Sequence, residues 1–418
     1  MTLCAVGLWW GRLAVLAAQG PGPYVGRRLN GVPERGLRVR RRPDNPMNLT
    51  RVMPAEGFEQ PAFSRPAFLK ASRPIRAMER PMRFSTLFAA AAMAIAALPL
   101  SPLAQAAEKI LTVYTYDAFT SDWGPGPAIK EAFEADCGCT LEFVALDSSI
   151  GVLSRLRLEG ENTKADVVLG LDLNILAEAR DSGLLAPHGV TPQNLALPVA
   201  WDDDIFLPFD YGYFAFVYDT ETLAAPPKSL KELVEAPDDL KIILQDPRTS
   251  TPGLGLLLWV RKVYGDEAPE AWARLAKKTV TTTKGWSEAY GLFLEGEAPM
   301  VLSYTTSPAY HMIAEDEQRY QAAAFAEGHY MQVEVAAMTK STDDPDLARR
   351  FLEFMLSPGF QSTLPTGQWM YPVIDLPEGL PEAYNRLVDP AQPLLFEAEE
   401  VAARRGAWVE EWLQAVTR

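Results

Sequence analysis

From Lys109 onward the chain alternates between short apolar runs and amphipathic stretches. "KILTVYTY" predicts a strand, "GPAIKEAFEADCG" a helix opened by Pro127, "TLEFVAL" a strand, "GVLSRLRLEG" a helix and "ADVVLGLD" a buried strand. Near-continuous Val and Leu runs between helical patterns predict a largely parallel sheet covered on both faces. "FLPFDYGYFAFVYDT" reads as a long strand dense in Phe and Tyr. A second series follows in "KIILQD", "GWSEAYGLFLEG" and "PMVLSYTTSPAYH", then a strand "YMQVEVAAM" and the helices "DLARRFLEFML" and "AEEVAARRGAWVEEWLQAV". Trp259, Trp272, Trp408 and Trp412 fall on helical patterns and are assigned to packing. With no repeat, low-complexity segment or Gly/Ser linker between them, the two α/β series predict two lobes that share the chain more than once. Ligands of such sheets sit beyond the carboxyl ends of the strands, here in the cleft between lobes.

Charge divides the 418-residue chain unevenly. Residues 1–81 hold 14 Arg and Lys against 5 Asp and Glu, whereas residues 107–418 hold 24 against 49. The formal net charge of -15 argues against nucleic acid as a partner, since phosphate backbones need a basic face. Between these parts stands "MRFSTLFAAAAMAIAALPLSPLAQAAEK", a basic start, a short Ala-rich apolar run and a small-x-small site ending at Ala106. That is a secretory signal peptide over 82–106, with translation expected to start at Met82 and 1–81 a misassigned start or a disordered extension. The acidic mature part is expected to be exported. Its two cysteines, Cys137 and Cys139, form a C-x-C pair that either closes a tight disulfide in an oxidising compartment or stays as two thiols. His188, His311 and His329 are too scattered for a zinc site with them.

"QDPRTSTPGLGLLLWVRKVYG" has the form of a helix start, with Ser250 and Thr251 before Pro252 and a packed apolar run. The free N–H groups of such an end attract an anion or a hydroxyl tail, although ordinary capping accounts for the same residues. Thr305, Thr306 and Ser307 before Pro308 repeat the arrangement. Neither stretch continues into Gly-Lys-Ser/Thr, so nucleotide hydrolysis is not indicated. Around Ser287, "TKGWSEAYG" has Ala289 where a nucleophile elbow needs glycine. Tyr116, Trp123, Trp286, Tyr304, Tyr310 and Trp369 each lie in or beside a loop at a strand or helix end. Aromatic residues in such places most simply pack the core.

The stretches "LTVYTYDAFTSDWGPGPAIKEAFEADC", "ADVVLGLD", "PFDYGYFAFVYD", "QDPRTSTPGLGLLLW", "TKGWSEAYGLFL", "VLSYTTSPAY" and "TGQWMYPV", in this order from about Ile110 to the C-terminus, resemble the thiamine-binding periplasmic proteins of bacterial ABC importers. These belong to the type II solute-binding class. The resemblance implies an α/β, two-lobed, periplasmic-binding-protein-like (type II) fold. One lobe would comprise 107–209 plus about 335–365, the other about 215–330 plus about 368–418. Asp210–Tyr218 and Val333–Ala337 would form the hinge. The implied cleft holds thiamine or its mono- or diphosphate between Tyr116, Trp123, Ser148, Ser149, Ser250, Thr251, Trp286, Tyr304, Thr305, Thr306 and Ser307, with Tyr310 and Trp369 nearby. The family often carries Asp-Gly where Ser148 and Ser149 stand, so a carboxylate contact would move to Asp147 or be lost. The implied partners are a membrane permease and its ATPase. The protein is expected to be a periplasmic monomer that needs no cofactor and is not an enzyme. The alternatives on this fold are a carrier of ferric iron or another small cation, using Tyr304 and Tyr310, and a thiamine-cleaving enzyme using a cysteine. The first lacks an adjacent Tyr-Tyr pair and an early His, and in the second Cys137 and Cys139 fall at the far end of the first helix.

Overall fold

The computed structural model describes residues 109–390 and 392–417, so the expected leader and signal peptide lie outside the described residues. The first runs form strand β1 (Ile110–Tyr116), helix α1 (Gly126–Cys137), β2 (Thr140–Leu146), α2 (Ser149–Glu159) and β3 (Val167–Asp172). Strands β2 and β3 flank β1 in parallel. All of β3 is buried, as its unbroken Val/Leu run requires. Helix α1 carries a proline in its first turn and stops at Gly138, whose φ of 63° ends the helix. A disulfide joins Cys137 to Cys139 across that glycine, which decides between the two readings of the pair.

The second series consists of β4 (Leu207–Asp219), β5 (Ile242–Gln245), α3 (Thr251–Tyr264), α4 (Ala268–Lys278), β6 (Thr279–Thr283), α5 (Trp286–Leu294), β7 (Met300–Tyr304) and α6 (Ser307–Ala314). It is followed by β8 (His329–Thr339), α7 (Pro345–Met355), β9 (Tyr371–Pro372) and α8 (Ala398–Val416). The main sheet runs β2-β1-β3-β8-β4-β7-β5-β6. Its centre is antiparallel: β8 pairs with β3 through Glu334–Met338 and with β4 through Met331–Ala336. Beyond Tyr213, β4 leaves β8 and pairs with β7 from Phe214 to Tyr218. One strand therefore belongs to both halves of the sheet.

The packing follows the same division. Phe119, Ile129, Phe133, Phe209, Phe351 and Phe360 fill a core under the first half, and Val217, Ile243, Phe293 and Val301 fill one under the second. A third cluster joins Tyr114, Val168, Phe214, Trp259, Val333, Trp408 and Trp412 on the side away from these two. Helix α8 packs against α4 and also against the short helix Leu176–Asp181, and Arg405 Nη1 donates to Glu178 at 3.0 Å. Among the described residues no helix is long and apolar enough to cross a membrane.

Helix α3 lies close on β4 because Gly255 has no side chain. A Cβ there would sit 2.0 Å from Cε2 of the fully buried Phe214. Gly255→Ala should therefore lower stability by about 1–3 kcal/mol despite alanine's better helix propensity. Urea unfolding should show a lower midpoint at unchanged slope, and an equal or higher midpoint would contradict this packing.

Candidate functional site

A cavity of about 390 Å³ opens where the carboxyl ends of the strands of both halves meet. From the first half it takes Tyr116 at the end of β1, Trp123 in the loop before α1, and Asp147, Ser148 and Ser149 between β2 and α2. From the second half come Ser250 and Thr251 at the start of α3, Trp286 opening α5, Tyr304 ending β7, and Ser307 and Tyr310 on α6. Trp369 closes one side from the turn before β9, at a left-handed φ of 60°. The structure thus brings together every sequence-predicted position except Thr305 and Thr306. Those two are fully buried and do not line the cavity, because the Thr305 N–H bonds to the Tyr213 carbonyl at 2.9 Å and turns that segment into β4.

The aromatic side chains are held by hydrogen bonds. Trp286 Nε1 donates to Ser303 Oγ at 2.8 Å, and the Trp286 ring stacks on Tyr290 at 4.9 Å between centroids. The Tyr290 hydroxyl meets His311 Nε2 at 2.8 Å, and His311 Nδ1 meets Glu315 at 2.6 Å. Burial pushes the His311 pKa down, which favours a neutral ring bonded through both nitrogens. Glu315 also accepts from the Tyr310 hydroxyl at 2.9 Å, and Tyr310 meets Trp369 edge-on at 5.3 Å. Trp123 faces Trp286 from the other half at 6.4 Å.

The hydroxyl groups divide into two kinds. Ser148 Oγ accepts from Gly151 N–H and donates across the cleft mouth to the Thr249 carbonyl at 2.6 Å, so it caps α2 and joins the halves. Asp147 also lines the cavity, and its carboxylate pairs with Lys284 across the same mouth. That pair is well exposed and contributes about 1 kcal/mol at most. Ser250 differs: it is the N-cap residue of α3, yet its side chain caps nothing. Its hydroxyl is buried and without a partner, and the residue lines the cavity.

Sequence reasoning missed the floor. Glu334 on β8 lines the cavity, and its Oε2 accepts from the Tyr116 hydroxyl at 2.7 Å and from Gln368 Nε2 at 3.4 Å. The Tyr116 ring reaches it by lying over Gly170, the residue skipped in the β3–β8 register. A Cβ on Gly170 would meet that ring at 2.3 Å, and its φ of 91° suits glycine. Burial and the nearby carboxylates push Tyr116 well above its ordinary pKa and raise Glu334 to about 7. The available signal was an acid in an otherwise apolar strand, in "QVEVAA".

Residues 121–362 match the family model described as bacterial extracellular solute-binding protein. The chain belongs to this family. A thiamine-binding periplasmic protein of Escherichia coli (strain K12) is 60% identical to this solute-binding protein over 324 residues, 77% of this chain and 98% of that one. One from Brucella melitensis is 55% identical over 323 residues, 77% and 96% of the two chains. The solved structure of a periplasmic thiamin binding protein, 60% identical, superposes with a TM-score of 0.73 over 74% of this chain and 97% of that one. A ferric binding protein from Campylobacter jejuni shares the fold at 21% identity, with a TM-score of 0.61 over 73% and 99%. The two-lobed α/β, type II fold expected from the sequence is the fold of this solute-binding protein.

The raised carboxyl of Glu334 fixes a sign for the pH dependence of stability. Its folded pKa of about 7 exceeds the ordinary glutamate value of 4.5, so the folded state binds more protons and loses stability as pH rises through 7. Buried His311 and His329, both shifted down, act in the opposite direction. The comparison that isolates Glu334 is Glu334→Gln against wild type. The melting temperature of the ligand-free variant should gain on wild type by several degrees between about pH 5 and 8. A difference that stays constant over this range would contradict a raised Glu334.

Proposed function

We propose that this solute-binding protein captures thiamine, its monophosphate or its diphosphate in the cleft, in the periplasm, and delivers it to the permease and ATPase of an ABC importer. It acts as a monomer and leaves the ligand chemically intact. The observation that carries this reading is the pairing, in one cavity, of aromatic walls with a helix start at Ser250 and Thr251. Trp123, Trp286, Tyr310 and Trp369 offer faces to the aminopyrimidine and the cationic thiazolium. Ser250 and the first amides of α3 offer donors to the hydroxyethyl or phosphate tail. The names of the relatives at 55% and 60% identity support the same ligand.

Closure of the two halves about β4 and β8 would trap the ligand. Ser148 on Thr249 and Asp147 on Lys284 are the contacts that would hold the closed state. The alternatives fit less well. A ferric carrier needs tyrosinate ligands, but burial holds the Tyr304 hydroxyl well above its ordinary pKa while it donates to Gln332 at 2.9 Å. A thiamine-cleaving enzyme needs a free thiolate in the cleft, and Cys137 and Cys139 are joined to each other outside the cavity lining.

Calorimetric titration with thiamine and with thiamine monophosphate tests both halves of the reading. Trp286→Ala should weaken both ligands by about 1–2 kcal/mol, some five- to thirty-fold in Kd. Ser250→Ala should weaken the monophosphate about tenfold while changing thiamine much less. Equal losses for the two ligands in Ser250→Ala would remove the tail from this end of the cleft.

A further inference from the structure

Three carboxylic acids stand in a row across the central strands. In the antiparallel register Glu334 of β8 faces Asp172 of β3 on one side and Asp210 of β4 on the other, so the three share a face of the sheet. All are buried, at 3%, 0% and 0% exposure. Glu334 is the member that reaches the cavity. Apart from the neighbouring Glu334 carboxyl, Asp210 has no donor to either of its oxygens, and Asp172 has one unpartnered oxygen while the other accepts from Asn174 N–H at 2.7 Å. The groups facing Glu334 from the surrounding elements carry no positive charge: Tyr116 from β1, Gln332 on β8 itself, Gln368 from the turn before β9, and Tyr304 from β7. Tyr384 lies near Asp210 at the outer end of the row. A cation that reaches the row is Arg405 beside Asp172, and it is already paired with Glu178.

A buried row of adjoining carboxylates cannot all ionise without a cation, so the empty cleft must keep protons there. We propose that Glu334 is the anionic contact for the positive ring of the ligand, and that the ligand enters in exchange for the proton that Glu334 shares with Asp210. The inference rests on the functional reading above and adds the residue that selects for charge. The exchange balances simply: the cation arrives, one proton leaves to the solvent, and the charge of the cleft floor is unchanged. Selectivity for a cation over a neutral molecule of the same shape follows, because a neutral molecule would leave Glu334 either protonated or unpaired.

The test is titration calorimetry of the protein with thiamine in buffers of differing ionisation enthalpy, at several values between about pH 5.5 and 8. Wild type should release close to one proton per thiamine at the acid end and almost none at the alkaline end. Its affinity should tighten by up to about tenfold per pH unit in the acid part of the range. A neutral isostere with carbon in place of the thiazolium nitrogen keeps the aminopyrimidine, and it should bind without releasing a proton. Glu334→Gln should bind thiamine more weakly, with no buffer-dependent heat and a flat pH profile. Asp210→Asn, which leaves Glu334 without its carboxyl neighbour, should move the proton release to lower pH. Release that persists in Glu334→Gln, or thiamine binding to wild type with no release at any pH, would overturn the inference and leave the functional reading intact. Absence of thiamine binding in every buffer would remove the functional reading and this inference together.

Discussion

Strands β4 and β8 run antiparallel through the middle of the molecule, and the site depends on their register. β4 pairs with β8 up to Tyr213 and with β7 from Phe214 onward, so the two half-sheets meet along one continuous backbone. That register sets Glu334 against Asp210 and brings the carboxyl ends of both sets of parallel strands to one cavity. It also limits the motion open to the halves. The cluster containing Phe214, Val333 and Trp259 is continuous behind the strands, while on the cavity side the halves meet through Ser148 and Thr249, Asp147 and Lys284, and Trp123 and Trp286.

The walls and the floor of the cleft are built on different principles. The walls are aromatic, and their rings are fixed by a relay running from Ser303 through Trp286 and Tyr290 to His311, Glu315 and Tyr310. Such preorganisation lowers the entropy cost of ordering side chains around a flat ligand. The floor is built of buried carboxyl groups, and among the described residues the cation that reaches them, Arg405, is already paired with Glu178, an arrangement that is costly whenever the carboxyls ionise.

Most of the fold was legible in the sequence because strand and helix periods are local. The run "ADVVLGLD" had to be buried on both faces, and the four helix-pattern tryptophans are buried as their spacing required. The walls were legible too, since each aromatic stands next to a loop signal. Thr305 and Thr306 misled because Ser/Thr before proline marks a turn without telling which side chain faces the cleft. Glu334 was missed for a different reason. Its partners Asp172 and Asp210 lie more than a hundred positions earlier in the chain, and no local pattern states which strands adjoin or in what register. Gly170 depends on the same long-range fact, because its need for a bare Cα arises only once the Tyr116 ring lies over it.

The proposed function requires that this cleft hold one thiamine-type cation and release it unchanged. The most direct measurement is mass spectrometry of the small molecule liberated on denaturing protein purified without added ligand. Thiamine or one of its phosphates should be recovered, intact and near one per chain. Protein that carries no such molecule and takes up none when thiamine is supplied would contradict it.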